Sequence, residues 1–253
     1  GSRDIVDGPS GPLGSVNFIT AHDGFCLKDL VSYDVKHNQM NGESNRDGTN
    51  GNHSFNHGFE GSGSTPEIAA QRRKAARNLM ATLLFSSGIP MVTAGDERLK
   101  TQNGNNNAYC QDTVMSWVNW ELSRHQRDFE ETFAHLTKLR RENPVLRPKT
   151  FGDFNVANED HDMIRWFNSQ GEIMSEENWH DSECRTIQRY SERLEADGSR
   201  SAILLLIHGA EKVQEVTLPS QDGVLRYELL WNSAFDQPNE EIETVLPGAK
   251  TLV

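Results

Sequence analysis

A histidine and an aspartate at the end of a short apolar run are the first candidates for chemistry in this sequence. The run, residues 16–20, is rich in strand-forming residues and leads to His22 and Asp23, and Gly24 then indicates a turn. In parallel α/β barrels the carboxyl ends of the strands hold the active site, so polar side chains at such a position favour a catalytic role. A carboxylate can stabilise developing positive charge while the neighbouring imidazole donates a hydrogen bond to substrate. The residues alone leave a second interpretation equally open, in which Asp23 only caps the turn or the next helix.

A second polar cluster, residues 95–97 and 102–109, follows another short apolar run, residues 89–94. Amides both donate and accept hydrogen bonds and aromatic rings stack on the apolar faces of sugars, so the cluster suits a neutral ligand rich in hydroxyls. The alternative is a loop whose Asn and Gly residues are present for left-handed backbone conformations, and without further context this alternative is favoured. The candidate substrate-binding residues are Asp96, Gln102, Asn106, Asn107 and Tyr109.

The elements that must position these clusters follow the order strand, polar loop, helix, strand, polar loop, helix. The first loop is rich in Asn and Gly without periodicity, and Pro66 and Glu67 indicate the start of the first helix. Such an order is typical of a parallel α/β arrangement. The predicted segments are strand 16–20, loop 38–63, helix 66–88, strand 89–94, loop 101–112 and helix 123–142.

Beyond Pro144 the pattern changes to short apolar runs separated by turn residues, which is typical of an all-β domain. The net charge changes at the same place, from −2 over residues 1–143 to −10 over residues 144–253. We therefore expect two domains with these bounds, the second an antiparallel β-sandwich. Its predicted strands are 163–167, 201–207, 213–218 and 227–231, and its predicted core includes Trp166, Leu204, Leu206 and Trp231.

Composition excludes several classes of partner. The 253 residues contain 25 basic and 37 acidic side chains, a net charge of −12, which argues against binding to nucleic acid or to an anionic membrane surface. No apolar run approaches the roughly 18–20 residues that span a bilayer, and no signal segment precedes the first strand. Three cysteines far apart do not form a disulfide framework. We expect a soluble cytoplasmic protein.

Four sequence segments resemble a known family. Residues 18–24, FITAHDG, resemble the fourth conserved segment of the α-amylase superfamily. The runs HNQMNGESNRDGTNGNHSFNHGFEG from His37, GIPMVTAGDE from Gly88 and QNGNNNAYCQD from Gln102 resemble bacterial glycogen debranching enzymes of the isoamylase group. The resemblance covers residues 15–145, including Trp117 and Trp120, whereas the later part fits the family's C-terminal domain by position and pattern.

The resemblance implies a C-terminal portion of such an enzyme: the last two β/α units of a TIM-type (β/α)8 barrel, then an antiparallel β-sandwich domain. It implies hydrolysis of α-1,6 branch linkages in glycogen or branched dextrins with retention, by a nucleophile and a general acid/base. A third carboxylate of the family hydrogen-bonds sugar hydroxyls and helps to distort the ring, and by motif Asp23 is that carboxylate and His22 its partner. We expect no cofactor and no metal site.

The sequence also departs from the family pattern. The segments that carry the nucleophile and the acid/base are absent, so we expect this chain to be inactive alone. We also expect it either to shield its open barrel edge by self-association or to leave about its first 60 residues largely disordered. Residues 98–100 differ from those of relatives, which puts substrate contacts there in doubt. The loop near Asp47 has oxygen ligands but no EF-hand spacing, and His53 and His57 are interpreted as solvated or sugar-facing.

Two further interpretations of function remain open at this point. One is a carbohydrate-binding or regulatory module whose barrel remnant only packs beneath a β-sandwich. The other is a different glycosidase of the superfamily that acts on maltooligosaccharides or trehalose.

Overall fold

A parallel pair of short strands with a long helix between them forms the first part of the structure. The computed structural model describes residues 11–152, 157, 162–238 and 243–253. Strand β1 (Val16–Asn17) pairs in parallel with β2 (Ile89–Pro90), with Val16 opposite Ile89. Both strands are shorter than the predicted runs 16–20 and 89–94. Just beyond β2, Met91 donates its N–H to the carbonyl of Asn17 at 2.8 Å.

Three helices belong to this part: α1 (Leu27–Leu30), α2 (Pro66–Phe85) and α3 (Arg124–Glu142). The hydroxyl of Thr65 accepts a hydrogen bond from the N–H of Ile68 at 3.4 Å, so α2 begins as the sequence predicts, with Pro in its first turn. The two predicted long helices are confirmed. Their buried side chains include Met80 and Leu84 of α2 and Phe129 and Leu136 of α3.

The predicted polar loop between residues 38 and 63 is also confirmed. Its backbone contains one short 3-10 turn, Gln39–Asn41, and otherwise runs without regular structure. A segment of this length without secondary structure must satisfy its polar groups through side chains. The contacts that do so are described with the candidate site.

The second part is antiparallel. Strands β3 (Met163–Phe167), β4 (Thr186–Leu194) and β5 (Arg200–His208) form one sheet in that order. Two smaller antiparallel pairs follow, β6 (Glu215–Thr217) with β9 (Lys250–Leu252) and β7 (Tyr227–Glu228) with β8 (Thr244–Val245). A short helix, α4 (Glu176–His180), lies between β3 and β4.

The antiparallel part differs from the sequence prediction in several ways. Strands β4, β8 and β9 were not predicted, and the predicted strand over 227–231 is only the two residues of β7. Buried Met163, Phe167 and Tyr190 form a core cluster against which Leu204 packs. Trp231 lies outside this part, since residues 231–238 group with the first part of the chain.

The described chain thus divides into two compact units. We call residues 16–141 with 231–238 the α/β unit, and the remaining described residues the β unit. The assignment of these units to a barrel portion and a sandwich stays a prediction. Among the described helices, none combines the length and the apolar character needed to cross a membrane.

Candidate active site

His22 and Asp23 lie on the segment that connects β1 to α1, and both side chains face solvent. The His22 side chain is 92% exposed and that of Asp23 is 80% exposed, with 3.3 Å between Nε2 of His22 and Oδ2 of Asp23. A carboxylate and an imidazole in this arrangement are accessible to a ligand and can hydrogen-bond sugar hydroxyls. The structure therefore brings the two predicted catalytic residues together on an open turn.

Asp96 lies beneath this turn and contacts both of its ends. Its side chain is 2% exposed; the hydroxyl of Thr20 donates to Oδ2, and the N–H of Leu27 donates to Oδ1 at 2.8 Å. Burial raises the pKa of Asp96 above its usual range, although the hydrogen bonds from Thr20 and Leu27 oppose that shift. In the described structure this carboxylate bonds to protein groups, and its predicted contact with substrate stays a prediction that these hydrogen bonds do not support.

The predicted amide residues also face inward. Asn106 is 1% exposed, and its Nδ2 donates to the carbonyl of Thr49 at 2.9 Å and to Oδ1 of Asn52 at 2.6 Å. The Nδ2 of Asn107 donates to Oδ2 of Asp47 at 2.9 Å. These amides join the loop over 102–111 to the loop over 38–52. Their direct contact with substrate stays a prediction that none of these hydrogen bonds supports.

Gln102 and Tyr109 differ from each other in exposure. Gln102 is partly buried and donates from Nε2 to the carbonyl of Asn105 at 2.9 Å. The ring of Tyr109 is 74% exposed, so of the five predicted substrate-binding residues it is the one that presents a surface on which a sugar can stack.

Sequence reasoning missed Asp29, which holds the second loop in place. The side chain is fully buried; its Oδ2 accepts from the N–H groups of Gln102 at 2.8 Å and Gly104 at 3.1 Å, and the hydroxyl of Thr101 donates to Oδ1. Burial raises its pKa, and these hydrogen bonds oppose the shift. A charged residue inside the apolar run LKDLVSY was the signal that could have revealed it.

Lys36 was missed as well, and it organises the first loop. Its buried ammonium group donates to the carbonyls of Asp47 at 2.7 Å, Gly48 at 3.2 Å and Arg46 at 3.4 Å. A single cation thus satisfies three carbonyls of a turn that has no regular backbone pairing. Lys36 thus lies against the loop near Asp47, which is rich in oxygen ligands.

Arg98, one of the residues at which the sequence departs from the family pattern, contacts other side chains of the protein. The guanidinium of Arg98 lies 4.5 Å from the ring centre of Trp120 and pairs with Glu130 at 2.6 Å. The ring of His57 is tilted by 46° against that of Phe55, with 4.6 Å between ring centres. Across the part of the chain that the structure describes, no group of three or more His, Cys, Asp or Glu side chains is arranged to hold a metal ion.

Comparison with curated proteins identifies relatives over most of the chain. The glycogen debranching enzyme of Enterobacter sp. (strain 638) is 44% identical over 168 residues, which is 66% of this chain and 24% of that protein. The chain is a homologue of the glycogen debranching enzymes. The glycogen debranching enzyme of Serratia proteamaculans (strain 568) is 37% identical over 240 residues, 94% of this chain and 32% of that protein.

A glycogen operon protein GlgX homolog of Mycobacterium tuberculosis (strain ATCC 25618 / H37Rv) is 43% identical over 182 residues, 71% of this chain and 25% of that protein. The chain therefore spans about a quarter to a third of the length of the curated relatives it matches. No protein-family profile matches it.

Solved structures of pullulanases share the fold. Pullulanase type I from Bacillus subtilis str. 168, in complex with maltose, matches with a TM-score of 0.60 and 18% identity, covering 96% of this chain and 26% of that one. Pullulanase from Paenibacillus barengoltzii, in complex with maltohexaose and α-cyclodextrin, matches with a TM-score of 0.57 and 18% identity, covering 95% and 30%. At this identity the likeness concerns the fold alone.

Proposed function

We propose that this glycogen debranching enzyme homologue contributes part of the active site of a glycoside hydrolase that cleaves α-1,6 branch linkages. Asp23 stabilises the positive charge that develops on the sugar ring in the transition state, and His22 donates a hydrogen bond to a sugar hydroxyl. The observation that carries the proposal is the exposed His22–Asp23 pair on a turn that follows a parallel strand and is anchored from below.

We assign the remaining catalytic groups to the part of the full-length enzyme that this chain does not cover. Retaining glycosidases need a nucleophile and a general acid/base on opposite sides of the scissile bond, and one carboxylate cannot perform both tasks. The proposed mechanism is therefore retention by two carboxylates from the rest of the enzyme, with Asp23 hydrogen-bonding sugar hydroxyls and stabilising the charge that develops on the ring. The 253-residue chain alone is inactive under this proposal.

The proposed substrates are glycogen and branched dextrins. The names of the curated relatives support glycogen, and the solved pullulanases are complexed with maltose and with maltohexaose. Among the predicted substrate-binding residues, the exposed ring of Tyr109 suits a neutral glucan.

The experiment is a substrate comparison with the full-length protein. Release of reducing ends is measured on a branched dextrin, on pullulan and on linear maltoheptaose, and NMR records the anomer that forms first. The proposal predicts release from a branched glucan with the α-anomer first and no cleavage of the linear chain. Binding to glucan without hydrolysis would support a carbohydrate-binding module, and cleavage of maltoheptaose would support a different glycosidase.

We also propose that the isolated chain self-associates. Val16 and Phe18 at β1 and Ile89 and Met91 at β2 are all exposed apolar side chains beside an open strand pair. Light scattering on the 253-residue chain tests this proposal at micromolar concentration. Dimers or larger species are expected, whereas a stable monomer would refute it.

A further inference from the structure

We propose that Asp96 is a positioning residue that fixes the backbone segment 20–27 and thereby the place of Asp23 in the active site. This inference rests on the proposed function, because it assigns Asp96 a role that acts through the Asp23 carboxylate. The buried Asp96 side chain holds the segment that carries the exposed Asp23 side chain.

The two oxygens of Asp96 hold the two ends of this segment. Thr20, the last residue before the turn, donates its hydroxyl to Oδ2, and the N–H of Leu27, the first residue of α1, donates to Oδ1 at 2.8 Å. The hydroxyl of Thr20 also lies 3.1 Å from that of Thr93, next to β2. One carboxylate therefore sets the distance between the point where the chain leaves the strand pair and the point where it enters the helix.

A third attachment lies one residue beyond Asp23. The N–H of Gly24 donates to the carbonyl of Asn106 at 2.9 Å, and the loop that contains Asn106 is itself held by Asp29 through Gly104. The turn is thus held at both ends and near its middle, while the His22 and Asp23 side chains make no contact with Asp96 among the hydrogen bonds described. Their exposure leaves them free to meet a ligand.

The difference in exposure between Asp96 and Asp23 indicates which of the two carboxylates can contact substrate directly. Asp96 is 2% exposed and Asp23 has an 80% exposed side chain, so a ligand that reaches Asp23 touches the turn and leaves Asp96 covered. A misplacement of about 1 Å in a catalytic group can reduce the rate by roughly 100-fold. Loss of the Asp96 contacts is therefore expected to lower kcat while KM stays close to that of the parent.

The test uses the full-length enzyme with graded substitutions at both ends of the contact. In Asp96→Asn the amide oxygen accepts from Leu27 and the amide nitrogen donates to the Thr20 hydroxyl, so the geometry is retained without the charge. Asp96→Ala removes both contacts, Thr20→Val removes one, and Thr20→Ser keeps it. Thr82→Val, on the exposed side of α2, is the matched control.

We expect Asp96→Ala to lower kcat on a branched dextrin by roughly 10- to 100-fold with KM changed by less than about 2-fold. Thr20→Val gives a smaller loss, and Asp96→Asn and Thr20→Ser retain most of the activity. In an Asp23→Asn background, Asp96→Ala should reduce the residual rate by less than about 2-fold, because the group that it positions is already lost.

Several outcomes would overturn the inference. A parental kcat for Asp96→Ala would do so. A full additional loss of rate from Asp96→Ala in the Asp23→Asn background would also do so. An equal rise in KM for Asp96→Ala and Asp96→Asn would indicate that Asp96 contacts substrate directly. If Asp96→Ala fails to fold, the comparison of Thr20→Val with Thr20→Ser decides: equal kcat values refute the positioning role. Failure of the proposed function is separately visible, as a normal rate for Asp23→Asn alone.

Discussion

Asn38 and Asn106 bind each other through their side chains and backbone. Nδ2 of Asn38 donates to Oδ1 of Asn106 at 2.8 Å, and Oδ1 of Asn38 accepts from the backbone N–H of Asn106 at 3.0 Å. Both residues are almost completely buried. This reciprocal pair connects two long polar loops, and the carbonyl of Asn106 holds Gly24 next to the proposed catalytic aspartate.

Gly48 lies against this pair and should not tolerate a side chain. A Cβ at Gly48 would overlap Oδ1 of Asn106 and lie 2.7 Å from Nδ2 of Asn38. Gly48 and Gly42 both have positive φ, +70° and +81°, but a Cβ at Gly42 has no neighbour within 4 Å. Gly42→Ala should cost about 1–2 kcal/mol for its backbone conformation alone, and Gly48→Ala about 1–3 kcal/mol more for the overlap.

Urea unfolding of the two glycine variants measures this difference directly, because both substitutions carry the same backbone penalty. Equal destabilisation of the two variants would show that the Asn38–Asn106 pair moves aside without cost.

Glu60 gives the first polar loop a dependence on pH. Burial would raise the pKa of Glu60, but hydrogen bonds from Asn56, from the backbone N–H groups of Asp34 and Val35 and from His37 outweigh it and lower the pKa from 4.5 to about 2. The unfolded chain therefore binds a proton more readily than the folded one, so the stabilisation is present above about pH 4.5 and is lost as the pH falls towards 2.

Glu60→Gln should accordingly destabilise the protein near neutral pH, and its difference from the parent should shrink as the pH falls below 4.5. Urea midpoints at pH 6.5 and pH 3.5 test this, with Glu43→Gln, an exposed glutamate of the same loop, as the control. A difference that is constant over this range would contradict the assigned hydrogen bonds.

Arg140 of α3 caps the end of α2. Its buried guanidinium donates to the carbonyls of Leu84, of Ser86 at 3.0 Å and of Gly88 at 2.7 Å. Because the Leu84 carbonyl at the helix end and the two carbonyls just beyond it have no intrahelical partner, Arg140→Met should cost about 1.5–3 kcal/mol. Lys138→Met, which removes the same charge from the exposed side of α3, should cost about 0.5 kcal/mol or less.

Hydrogen exchange of the amides at the end of α2 and in the following turn reports this contact locally. Faster exchange in Arg140→Met than in Lys138→Met is expected, and equal rates in the two variants would refute the cap.

Apolar periodicity was sufficient to predict both long helices and strand β3, because each buries apolar side chains at regular spacing. It was insufficient for β4, whose inward positions include polar residues. Gln188 is fully buried and donates from Nε2 to the carbonyls of Asn168 at 2.8 Å and Thr217 at 2.9 Å. A strand whose buried polar side chains bond to groups elsewhere in the fold shows no apolar alternation in its sequence.

The sequence was likewise sufficient for one part of the candidate site and insufficient for another. The place of His22 and Asp23 on an exposed turn after a strand was predictable from their position in the chain. The partners of Asp96 and Asn106 were not, because carboxylates and amides serve sugars and protein backbone equally well. Only the contacts with Thr20, Leu27 and Asn38, all distant in sequence, distinguish the two uses.

The central claim is that Asp23 stabilises the transition state of debranching, and kcat/KM of Asp23→Asn on a branched dextrin tests it most directly. In the full-length enzyme we expect a loss of about 10²–10³-fold with an unchanged unfolding midpoint, because this exposed carboxylate stabilises developing charge and contributes little to packing. Asp222→Asn, an exposed aspartate of the β unit, should match the parent in both measurements. A kcat/KM for Asp23→Asn close to the parental value would contradict the claim.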